Sequence, residues 1–163
     1  YIEVIRGTPM LVQLYFFYFG LPKLIPQLDS AFISITIACI VNSVAYVAEI
    51  IRGGLMSLDP GQMEAGRAVG LTYATTMMKV VVPQAIKNIL PTLGNEFIVL
   101  IKETSIVSFI AVTDLYKSFK QLGDPTYNYT MPYLMLALTY LVIVLLISFG
   151  VRLLEAKMKK SER

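Results

Sequence analysis

Residues 131–151 read MPYLMLALTYLVIVLLISFGV, 21 positions without one charged side chain. As a helix rising 1.5 Å per residue, the stretch is about 31 Å long, which matches a hydrocarbon core of about 30 Å. Backbone in lipid has to satisfy its own N–H and C=O groups, so the segment reads as a transmembrane helix. Residues 31–51, AFISITIACIVNSVAYVAEII, repeat the pattern with a single charge, Glu49, near the end that runs into Arg52. Two further stretches are less apolar. Residues 10–28 open with MLVQLYFFYFGLP, interrupted by Gln13, and then pass Lys23 between Pro22 and Pro26; residues 88–112 contain Glu96, Lys102 and Glu103. The reading is an all-α, polytopic transmembrane helical bundle of four spans (10–28, 31–51, 88–112 and 131–151), forming a single domain over residues 1–163.

Composition narrows the function. The 163 residues are 56% hydrophobic and 15% charged, with a mean hydropathy of +0.66; soluble chains carry about 25% charge. A disordered chain and a disulfide scaffold are excluded. The single cysteine, Cys39, lies in an apolar run and allows neither an intrachain disulfide nor a thiolate cage. With no histidine, the commonest general base and metal ligand is missing. Asp29, Asp59, Asp114 and Asp124 all fall in connecting segments, which leaves no paired-aspartate membrane enzyme. No catalytic residue, metal site or cofactor is expected in this chain.

The net charge of +3 reads as sidedness rather than nucleic-acid binding. Arg6, Arg52, Arg67, Lys79, Lys87, Arg152, Lys157, Lys159, Lys160 and Arg163 lie in the termini and the 52–87 loop, ten of the 14 basic residues. Lys23, Lys102, Lys117 and Lys120 lie elsewhere. This bias makes the loop and both tails cytoplasmic. The chain begins at Tyr1 with YIEVIRG and shows no signal-peptide pattern, so an earlier helix is expected to be missing.

The loop carries the pattern SLDPGQMEAGRAVGLTYATTMMKVVVPQAIKN. Asp59 and Pro60 predict a capped helix over about 60–69, with Gln62 at the capping-box position and Gly70 as its C-cap. Ala65, Ala68 and Val69 share one face, with Glu64 and Arg67 beside it; side chains this small let another surface approach the backbone. A second helical stretch is expected over 72–82, ending at Pro83. Taken alone, the pair reads equally as amphipathic helices resting on the membrane surface.

The order of these features is more specific. Two spans, DPGQMEAGRAVG, a helical stretch running into VVPQAIKNILP, and a span containing NEFIVLIKETS resemble the permease subunits of type I ATP-binding-cassette importers, in particular the polar amino-acid uptake family. The similarity continues through IRGTPMLVQLYFFYFGLP at 5–22 and NSVAYVAEIIRGGL at 42–55, so it covers essentially the whole chain. Glu64, Ala65 and Gly66 occupy the family's Glu-Ala-Ala positions and Gly70 its glycine. Gly66 departs from the pattern; it stays small, at a helix-propensity cost of about 1 kcal/mol relative to Ala.

The resemblance implies a bacterial cytoplasmic-membrane permease whose loop helix docks on a cytoplasmic ATPase dimer. It also implies a second permease subunit, identical or homologous, and an external amino-acid-binding protein. ATP would be bound by the partner, in keeping with the lack of any G-x-x-x-x-G-K-[ST] loop here. An ion-coupled secondary transporter or channel subunit is the alternative; it has no need of a capped, small-residue helix aimed at a cytoplasmic partner.

Charges within the third span need partners, since a Lys at a helix centre costs about 2.5–3.5 kcal/mol on insertion scales. One reading has Lys102 and Glu103 reaching the outer interface or pairing. The other has Asn42, Ser43, Asn95, Glu96, Lys102, Glu103, Thr104 and Ser105 lining a polar passage that holds both charges of a zwitterionic amino acid. Asn95 and Glu96 could equally hold helices together, and Pro91 is placed to bend its helix. Tyr116, Tyr127 and Tyr129 read as interfacial anchors or as part of an outer docking face, Gly20 and Gly150 as packing residues, and the tail from Arg152 as an inner-leaflet anchor.

Overall fold

A computed structural model of the chain describes residues 1–110 and 112–160, with side chains to residue 157. Ala111, residues 161–163 and the side chains of 158–160 lie outside the described residues, and with them Lys159, Lys160 and Arg163 of the predicted anchor. The described residues form helices and connecting turns, without strands.

Helices α1 (Ile2–Arg6) and α2 (Met10–Leu24) meet at a corner closed by Gln13, whose Nε2 donates to the Ile5 carbonyl at 2.7 Å and the Thr8 carbonyl at 3.0 Å. The residue that interrupts the apolar run in the sequence is therefore buried and holds two helices together. α2 has 15 residues, about 22 Å of rise, with Pro22 inside it; a 3-10 turn, Pro26–Leu28, follows. The stretch read as 10–28 is thus continuous helix only to Leu24. α3 (Ala31–Met56) outruns its expected end at Ile51 by more than a turn.

In the loop, α4 spans Gly61–Ala68. It starts one residue later than expected, with Pro60 as its N-cap, and Asp59 Oδ1 accepts from the Gly61 N–H at 2.9 Å. Gln62 does not complete a capping box: its Oε1 accepts instead from Gln84 Nε2 at 3.2 Å. Gly70, at φ +89°, ends the helix. Its N–H donates to the Arg67 carbonyl at 3.0 Å and that of Leu71 to the Gly66 carbonyl at 3.1 Å, the two bonds of a Schellman cap.

The stop expected at Pro83 does not occur. α5 (Tyr73–Thr76), capped by Thr72, passes into a π-turn over Met77–Val81 and then into α6 (Val82–Glu103). Proline lacks an N–H and crowds the carbonyl four residues back; a wide π-turn immediately ahead is the kind of adjustment that accommodates both defects. Pro91 likewise lies inside α6 without ending it. After Glu103 the chain tightens into a 3-10 stretch, Thr104–Ile110, so the α-helix stops short of the predicted residue 112. Thr104 and Ser105 donate their hydroxyls to the Ile101 and Lys102 carbonyls at 2.6 and 2.8 Å, competing with the α-helical ladder there.

α7 (Leu115–Gly123), capped by Asp114, leads to α8 (Thr130–Lys160). Of the described helices, α3 and α8 are long and apolar enough to cross a membrane. Met10, Leu14, Ile35, Ala38, Val107 and Ile110 form the core where α2, α3 and the 3-10 stretch converge. α3 packs on α2 and α6, and α6 packs on α8. Glycines permit close crossings: a Cβ on Gly54 would stand 2.2 Å from Ile89 Cγ1, and one on Gly94 2.6 Å from Val151 Cγ1. A Cβ on Gly20 or Gly150, the two glycines expected to pack, would meet nothing within 4 Å.

Candidate functional site

Asn88, Thr92, Asn95, Glu96 and Val99 recur at helical spacing along one stripe of α6. The stripe faces α3 and α1 across a cleft of about 580 Å³, within the usual range for small-molecule sites of about 300–1,000 Å³. α1 contributes Arg6, α3 contributes Tyr46 and Glu49, and its C-cap contributes Ser57. The floor is clasped by Asn88 Nδ2 donating to Ser57 Oγ at 3.0 Å, while Ser57 donates to the Gly54 carbonyl at 2.9 Å. The close crossing at Gly54 brings these short side chains within reach of one another.

Arg6 is the cation of the cleft. Its Nη1 lies 3.6 Å from Glu49 Oε1, and its guanidinium sits 5.5 Å from the centre of the Tyr46 ring. Glu49 is shared: Arg52, one turn on, also pairs with it, Nε donating to Oε2 at 3.0 Å. Such half-exposed pairs contribute little to stability. They do hold a guanidinium in the same cleft as the Glu96 carboxylate, and a cleft of this size with both signs and the amides of Asn88 and Asn95 can hold a small zwitterion.

Only Asn95 and Glu96 of the eight predicted pathway residues line this cleft. Asn42 is buried in α3, 3% exposed, and Ser43 is half-buried beside it. Lys102 and Thr104 are exposed and Glu103 and Ser105 half-buried at the far end of α6. Glu103 lies two turns beyond Glu96, on the same side of the helix. Arg6, Tyr46, Glu49, Ser57, Asn88 and Thr92 were not expected here. The i, i+4, i+7, i+8 recurrence of polar residues from Asn88 to Glu96 was the signal available for those on α6; Arg6 gave none beyond its charge.

The loop helix offers a second surface. Glu64, Ala65, Arg67, Ala68 and Val69 are exposed, with Val69 77% exposed, and so are Tyr73 and Met78. Gly66, read as leaving room for another surface, is instead buried against Thr76 of the same chain. At the opposite end, Tyr116, Tyr129 and Tyr133 stack with ring centres 5.7–5.9 Å apart, and Tyr129 donates its hydroxyl to Asp124 at 3.0 Å.

The chain is 42% identical over 162 residues to the arginine transport system permease protein ArtQ of Bacillus subtilis, covering 99% of this chain and 74% of that one. It is also 42% identical over 158 residues to a putative glutamine transport system permease protein GlnP of Rickettsia typhi, covering 97% and 72%. The crystal structure of an amino acid ABC transporter with histidines superposes with a TM-score of 0.87 at 49% identity, over 96% of this chain and 72% of that one. The family model for the binding-protein-dependent transport system inner membrane component matches residues 1–160. With an α-helical fold shared at that similarity and a match over nearly its full length, the chain belongs to the family of binding-protein-dependent transport system inner membrane components.

Proposed function

We propose that the chain is the membrane-spanning permease subunit of an ATP-driven importer of polar amino acids. The observation that carries this reading is the pairing, in a member of this family, of a two-signed polar cleft with an exposed small-residue helix at one end of the helix lining it. α2, α3, α6 and α8 are the four spans, with the 52–87 loop and the C-terminus cytoplasmic. Although α2 is short and α6 is charged, α2 is prolonged by the 3-10 turn to Leu28, and Asn88, Thr92, Asn95 and Glu96 of α6 face the cleft. The permease hydrolyses nothing. A cytoplasmic ATPase dimer binds ATP and docks on α4 through Glu64, Ala65, Arg67 and Val69, a second permease subunit completes the pathway, and an external binding protein delivers substrate.

Within the cleft, Arg6 attracts the substrate carboxylate and Glu96 its ammonium group; Glu103, two turns along, continues the acidic stripe outward. The test is uptake of labelled arginine, glutamine and a non-polar amino acid by the complex reconstituted with its ATPase and binding protein. ATP-dependent uptake of a polar amino acid is expected, and Glu96→Gln should lower it by about tenfold or more, the scale of a lost charge-assisted contact of about 1.5–3 kcal/mol. Uptake driven by an ion gradient without the ATPase would overturn the reading.

A further inference from the structure

α4 meets the rest of the chain at the residue where it departs from the Glu-Ala-Ala pattern. Gly66 is its buried residue, and a Cβ there would stand 2.3 Å from Thr76 Cγ2 and 2.9 Å from Thr76 Oγ1, closer than unbonded atoms approach. Thr76 is fully buried, and its hydroxyl is turned to the Thr72 carbonyl at 3.0 Å. Its methyl therefore fills the volume that a side chain at position 66 would claim. A polar tie runs beside this contact: Gln84 Nε2 donates to Gln62 Oε1 at 3.2 Å and to the Val80 carbonyl at 2.9 Å. Both links land on the helical rod that begins at Tyr73, crosses the π-turn and continues to Asn88, Asn95 and Glu96.

We infer that Gly66 and Thr76 are a size-matched pair of positioning residues that seats the loop helix on the base of the cleft-lining rod, and that Gly66 makes no contact with the ATPase. The inference rests on the reading of α4 as the docking element. A force applied to the exposed face of α4 has to reach the cleft through a surface that does not slide, and a close-packed contact meets that need because it deforms in discrete steps rather than continuously. One added carbon at position 66 lifts α4 from the rod while leaving Glu64, Ala65, Arg67 and Val69 free to dock.

The experiment uses the reconstituted permease, ATPase and binding protein, reading co-purification of the ATPase, ATP hydrolysis and uptake separately. Gly66→Ala is expected to keep the ATPase bound and hydrolysing while uptake per ATP falls about tenfold, the scale produced by substitutions along a coupling route. Thr76→Ala in the same chain should restore uptake to within about twofold of the unaltered complex, because it removes Cγ2 and Oγ1, the two atoms closer than 3.0 Å to the new Cβ, and leaves only the Thr76 Cβ at 3.2 Å, a contact that a shift of a few tenths of an ångström relieves. Unchanged coupling in Gly66→Ala, or a defect that Thr76→Ala does not relieve, overturns the seat alone. Failure of the unaltered chain to retain the ATPase overturns the docking reading beneath it. Should Gly66→Ala fail to assemble, a chain carrying Gln62→Cys and Gln84→Cys with Cys39→Ser, bridged by a short bis-thiol reagent, decides: uptake persists if α4 and the rod stay seated through the cycle. Loss of uptake on bridging, regained when the bridge is cleaved, rejects the proposal.

Discussion

α6 and α8 pack against each other yet answer to different solvents. In α8 only 6% of the most apolar stretch is buried in the protein, while Leu138, Leu141, Val142, Leu145 and Leu146 are each more than half exposed. α6 divides its surface: Leu90, Leu93, Gly94 and Phe97 border a groove shared with α8, while Asn88, Thr92, Asn95 and Glu96 border the cleft. Hydropathy measures the average of a helix's surroundings. It therefore finds the helix whose apolar surface is left open and passes over the one that borders the polar cleft.

The sharpest break of this comparison is a charge on each helix. Val142→Arg, near the middle of α8, should cost about 2.5–3.5 kcal/mol of insertion and sharply deplete the membrane-inserted protein in fractionation. Asn95→Arg, on the cleft side of α6, should leave the inserted amount within about twofold while abolishing uptake, because that side is polar. Equal depletion by both would place the α6 stripe in lipid.

The next effect concerns how the two helices touch. Gly94→Ala drives a Cβ into Val151 and should lower stability by about 1–3 kcal/mol. Gly150→Ala meets nothing within 4 Å and should gain up to about 1 kcal/mol from helix propensity. Thermal unfolding in detergent orders the two variants, and a reversal would mean that α6 and α8 cross elsewhere.

The smallest effect is at the corner before α8. The hydrogen bond to Asp124, with burial adding to it, holds the Tyr129 phenol above its ordinary ionisation range. With the folded value raised, the contribution is complete below the ordinary tyrosine range, near pH 10, and fades as pH climbs through the raised value. Asp124→Asn should bring the Tyr129 step back toward the ordinary range in an ultraviolet difference titration; an unmoved step would show that this pair does not set it.

Much of the architecture was legible because its signals are local. An uncharged run of lipid length marks α8, Asp59 and Gly70 bracket α4, and the Glu-Ala-Gly pattern places the loop in its family. What escaped was set by contacts between distant residues. Pro83 carries a stop signal that the preceding π-turn absorbs. Gly66 carries a small-residue signal whose beneficiary, Thr76, is ten positions away and on its own side of the loop. Arg6 reads as one more basic residue until the chain folds it beside Glu49 and over Tyr46. Asn95 and Glu96 read as polar interruptions of an apolar helix, while Asn88 and Thr92, a turn or two below them, show their place in the same stripe only once the cleft is formed.

The π-turn over Met77–Val81 also bears on which changes in length the chain can absorb. Such a turn holds one residue more than an α-turn for nearly the same rise. Losing a residue within it can relax that turn to α-helix with the phase on either side kept. Losing one between Val82 and Asn95 would rotate everything on one side of the gap by about 100° relative to the other, swinging the polar stripe out of line with Ser57 and Arg6. Single-residue deletions along residues 73–95 should therefore be tolerated at 77–81 and destructive beyond it, so that among related chains of unequal length this turn is where the difference can be stored.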